Sequence, residues 1–67
     1  MLEEKAGVIA GQIWQALNEN GTLNQKSLKK AAKLKADKDL FLGLGWLLRE
    51  DKIETSETDG ELSVKLK

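Results

Sequence analysis

The sequence predicts an α+β domain in which three helices precede a β-hairpin, and three observations carry that prediction. Up to residue 50 the apolar residues recur at steps of three and four. Beyond residue 51 the pattern switches to alternation. That alternation is broken once, by Asp59-Gly60, the strongest short-range signal for a two-residue hairpin turn. Length sets the scale, because 67 residues make a single domain, residues 1–67. At that size folding removes only about 60% of the surface the unfolded chain exposes. A 40% hydrophobic and 33% charged composition supplies one small core and is too apolar for a disordered tail.

The first helix is expected from about Glu3 to Asn20. Leu2, Ala6, Ile9, Ala10, Ile13, Ala16 and Leu17 line one face of it. Glu3 and Glu4 complement its positive end, and Gly21 offers the left-handed conformation that ends many helices. Gly7 and Gly11 sit in its interior, consistent either with close packing on that side or with a tolerated pair on an exposed stripe. Thr22-Leu23 is too short for an independent strand and is read as an edge segment that pairs with a nearby sheet. Asn24 then caps a second helix from about Gln25 to Lys33, with Leu28, Ala31 and Ala32 inward. After the turn Leu34-Lys35-Ala36, Asp37 is an N-cap candidate for a third helix from about Lys38 to Glu50.

Two alternating segments close the chain, 52–58 and 61–67. A two-residue turn pairs Thr58 with Glu61, Glu57 with Leu62, Thr55 with Val64 and Ile53 with Leu66. This register gathers the apolar residues on one face, and a slip of one residue would scatter them. Three helices, the second and third joined by a tight turn, followed by a hairpin is the element order of a winged helix-turn-helix.

Particular residues add to that order. Gly11 to Leu17, Gly21-Thr22-Leu23, the segment Leu42-Gly43-Leu44-Gly45-Trp46-Leu47-Leu48-Arg49-Glu50-Asp51-Lys52-Ile53 and the Asp59-Gly60 turn resemble a family of small stand-alone winged helix-turn-helix domains of bacteria and archaea, of unassigned function. Leu44-Gly45-Trp46-Leu47 with Arg49-Glu50 and Ile53 is the most specific piece. The resemblance implies the fold and, by analogy with the wider superfamily, binding of DNA; it implies no catalytic residue.

The composition excludes most chemistry. There is no cysteine and no histidine, which removes disulfides, thiolate metal sites, thiol nucleophiles and imidazole bases. Glu50-Asp51 and Asp37/Asp39 lack the spacing of a calcium loop, and the serines have no base to activate them. The chain is therefore expected to be non-enzymatic, without cofactor, metal or small-molecule substrate. No apolar run approaches the ~20 residues of a membrane span. A cytoplasmic protein with no membrane partner is the expectation.

Net charge is zero, but it is unevenly spread. Residues 24–38 hold six lysines against Asp37, a local balance of +5, whereas residues 50–61 hold six acids against Lys52, a balance of −5. Lys26, Lys29, Lys30, Lys33, Lys38 and Arg49 are thus candidates for contacts to the phosphates of double-stranded DNA. The third helix argues differently. Leu40, Gly43, Leu44, Leu47 and Leu48 are expected to face the core, leaving Lys38, Leu42, Gly45 and Arg49 outward with Phe41 and Trp46 on the flanks. Major-groove base edges are read by several adjacent polar side chains, and this face has too few. Phe41, Leu42, Gly45 and Trp46 instead have the composition of a protein interface, through which a weak homodimer would form. Trp14 is assigned to the core beside Ile13 and Leu17. The wing tip, with Glu57, Asp59 and Glu61, would repel phosphate. Two readings stand: DNA binding through the lysines, and a protein-interaction module on the same fold.

Overall fold

A computed structural model describes residues 2–67, with side chains from Glu4 onward. The order of elements is α1 (Leu2–Asn20), β1 (Leu23–Asn24), α2 (Gln25–Ala31), α3 (Asp37–Arg49), β2 (Ile53–Thr58) and β3 (Glu61–Leu66). The strands form one antiparallel sheet in the order β1-β3-β2. The winged helix-turn-helix order read from the sequence is the architecture found.

Each boundary has a local cause. Gly21 ends α1 at φ 76°, its amide donating 2.8 Å to the Leu17 carbonyl. Asn24 caps α2, its side-chain oxygen accepting from the Ser27 amide at 2.8 Å. α2 stops at Ala31, two residues earlier than expected. Lys33 turns left-handed at φ 60° and the Leu34 amide reaches back to the Lys29 carbonyl, a Schellman closure built on a lysine. α3 begins at Asp37 rather than being capped by it: Ala36 occupies the cap position, and the Asp37 carboxylate pairs with Lys29 Nζ at 2.9 Å. The same closure ends α3, with Asp51 left-handed at φ 59° and the Lys52 amide donating to the Leu47 carbonyl. Asp51 also accepts a hydrogen bond from the Lys67 ammonium, which raises that amine's pKa, while the Lys67 amide donates to the Lys52 carbonyl.

The hairpin has the expected register throughout, from Thr58 opposite Glu61 to Ile53 opposite Leu66. Asp59 and Gly60 are both left-handed, at φ 54° and 78°, which is the type I′ turn. The edge segment is Leu23-Asn24, with Leu23 opposite Val64.

One core serves all elements. Ile13, Leu17, Leu28, Leu40 and Val64 are fully buried, and burying each contributes about 1.5 to 3 kcal/mol. α1 packs most extensively on α3, and Gly43 is the point of closest approach. A Cβ built there would lie 2.6 Å from both Ile13 Cδ1 and Ile9 Cγ2, so only glycine lets the helices come this near.

Candidate functional site

α3 is the helix that would lie against DNA in a groove-reading winged helix, so its outward face is built up first. Gly43, Leu44, Leu40 and Leu47 form the buried arc. Because α1 presses on Gly43, the arc is rotated toward α1, and two expectations change. Leu42 and Trp46 are half-buried against the core, and Leu48 is not in the core: it stands 48% exposed. Phe41, two turns earlier, is 49% exposed. Lys38, Phe41, Gly45 and Leu48 therefore form the outward stripe at alternating steps of three and four, with Arg49 exposed beside it. Lys38 and Arg49 have no ion-pair partner among the described residues, whereas Asp37 and Asp51 are paired with Lys29 and Lys67.

The lysines differ in their surroundings. Lys29 is half-buried and paired with Asp37. Lys26 lines a cleft with Asp59 and Glu61 of the wing tip, so acids stand beside it. Lys33 lines a different cleft with Gln12, Gln15, Glu19 and Asn20 of α1. Lys30, Lys35 and Lys38 are exposed and unpaired among the described residues.

A further cleft of about 240 Å³ opens between α1 and α3. Trp14 and Trp46 line it with Gly7, Ala10, Gly11, Leu47, Glu50 and Lys52. Trp14 is thus not the core residue expected from its neighbours: it is 42% exposed, on the flank of α1 that borders this cleft. Val8 on the same helix is 64% exposed. No group of three or more His, Cys, Asp or Glu able to hold a metal exists among the described residues. No helix among them is long and apolar enough to cross a membrane.

A three-helix domain with a β1-β3-β2 sheet and a two-strand wing defines a winged helix-turn-helix. The comparisons narrow the class. The chain matches the family described as "Winged helix-turn-helix domain (DUF2582)" over residues 1–66, and it belongs to that family. It is similar to the solution NMR structure of a protein from Bacteroides thetaiotaomicron, at 29% identity and a TM-score of 0.86, covering 98% of this chain and 79% of that one. No curated protein sequence matches it.

Proposed function

We propose that this winged helix is a protein-docking module: the outer face of α3 receives an acidic amphipathic segment of a partner instead of reading base edges. The observation that carries the reading is the exposed pair Phe41 and Leu48, two turns apart with Gly45 between them, on the face a DNA reader would place in the major groove. Apolar anchors spaced by seven match the spacing of a helix laid along them. The unpaired charges on this face, Lys38 and Arg49, are both cations, so they complement acidic flanks and oppose a second copy of the same face.

A second reading has its own support. Winged helix domains bind DNA in many settings, and Lys30, Lys35 and Lys38 are free to neutralise phosphates near the α2–α3 turn, joined by Lys26, Lys33 and Arg49 at its edges. Such binding would be indifferent to sequence, because the α3 face offers almost nothing to a base edge.

One NMR experiment separates the two. The labelled protein is titrated with an acidic helical peptide carrying apolar residues seven apart, and separately with random duplex DNA at low salt. Docking predicts that the peptide moves the amides of Lys38, Phe41, Gly45, Leu48 and Arg49, and that Phe41→Glu weakens it at least tenfold. Shifts of those same amides by the duplex DNA, with none by the peptide, would overturn the docking reading.

A further inference from the structure

The sheet has two edges, and the fold treats them differently. At one edge β1 is two residues long and runs straight into α2, because Asn24 is both its last residue and the cap of that helix. That edge is too short to template another strand. At the other edge β2 runs six residues, Ile53–Thr58, and its pairing with β3 is unbroken from end to end. No bulge twists this edge away, and it holds neither proline nor lysine. Of the usual devices that keep an edge strand from accepting a partner, β2 has only the charges of Glu54 and Glu57.

The hairpin turn fixes which backbone groups are free. A two-residue turn makes Thr58 and Glu61 a hydrogen-bonded pair, and alternation then bonds Ser56 to Ser63 and Glu54 to Lys65. Ile53, Thr55 and Glu57 therefore turn their N–H and C=O groups outward. β3 checks the count, since the same alternation turns the groups of Val64 away from β2, and there they meet Leu23 of β1. Thr55 and Glu57 are exposed, and neither has a backbone bond to any other segment among the described residues.

Charge says what kind of strand fits. Residues 50–61 hold six acids against Lys52, and a second copy of β2 would set the same acids about 4.8 Å away, so self-pairing is opposed. Glu54 reaches Lys65 at 3.4 Å, whereas Glu57 has no ion pair among the described residues. Being three residues apart, the two glutamates fall on opposite faces of the strand. We propose that the outer edge of β2 accepts an extended basic segment of another protein as a fourth strand, with cations three residues apart so that one meets each glutamate. Main-chain bonds hold the segment and the charges choose it. The site is separate from the α3 face and takes the opposite charge.

Hydrogen exchange of the full chain, followed by NMR, tests this. The probe is a blocked peptide of threonine and valine with two lysines three residues apart, added at low salt. Exchange of the Thr55 and Glu57 amides should slow about tenfold or more at saturation, while Ser56, already bonded to Ser63, changes little. Replacing the peptide's lysines by glutamates, or Glu54 and Glu57 of the protein by lysines, should weaken binding by about tenfold or more. Methylating the peptide's backbone nitrogens removes its donors at unchanged charge and should abolish binding. Phe41→Glu should leave the affinity as it was, which separates this edge from the α3 face. A peptide that does not bind, that binds without protecting those two amides, or that binds equally well with glutamates overturns the proposal. So does protection of Thr55 and Glu57 that rises with protein concentration alone, which would make a second copy the partner.

Discussion

At the scale of single residues, the four glycines inside helices do not play one part. Gly43 is in contact with Ile9 and Ile13, while Gly7, Gly11 and Gly45 face open space. Replacing Gly43 by alanine forces those isoleucines from their positions, an overpacking cost of about 1 to 3 kcal/mol against about 1 kcal/mol gained in helix propensity. Gly7→Ala meets no such obstacle and should stabilise by up to about 1 kcal/mol. Urea-denaturation midpoints that fall for Gly43→Ala and rise for Gly7→Ala would bear this out; midpoints that move together would remove the close-approach argument. The sequence alone could not separate these glycines, because helix propensity is the same at every interior position and only the neighbouring helix decides which one is needed. The same limit applies to Trp14. Its neighbours in sequence are buried, but one residue rotates a helical side chain by about 100° and carried this one out of the core.

Among elements, the hairpin was wholly legible and α3 only partly so. Turn chemistry and alternation in β2 and β3 agree on one register, and two independent signals leave no freedom. The rotation of α3 rests on how α1 lies across it, a tertiary fact that periodicity fixes only to within about one residue position. Leu48 and Trp46 exchanged roles for that reason. The hairpin register gives a sharp test. Val64 is fully buried between Leu23 and Thr55 on neighbouring strands, so Val64→Asp buries an unpaired carboxylate and should cost several kcal/mol, enough to unfold a domain this small. Ser63→Asp points to the other face of the sheet and should cost far less. Circular dichroism melts that fall equally for both would be incompatible with the pairing.

For the whole molecule, the candidate site was legible as charge and composition but not as a surface. Six lysines close in sequence meet different surroundings in the fold: one pairs with Asp37, one sits by the wing acids and one lines a cleft with Glu19. Charge counted along a chain ignores which acids the fold brings alongside. If any phosphate binding exists, replacing Lys30, Lys35 and Lys38 by glutamine should weaken it equally on all duplexes and flatten its dependence on salt, measured by fluorescence anisotropy over a range of ionic strength. Unchanged affinity would place the contacts elsewhere. The sheet order has a consequence for how the molecule comes into being. β3, which follows the other described elements in the chain, is the central strand, hydrogen-bonded to both β1 and β2. As the chain leaves the ribosome, the three helices can collapse on one another, but the two outer strands have nothing to pair with until the middle one emerges. Until then Leu23 lacks the cross-strand partner that Val64 gives it and Ile53 the one that Leu66 gives, and the nascent domain waits, half-closed, for its central strand.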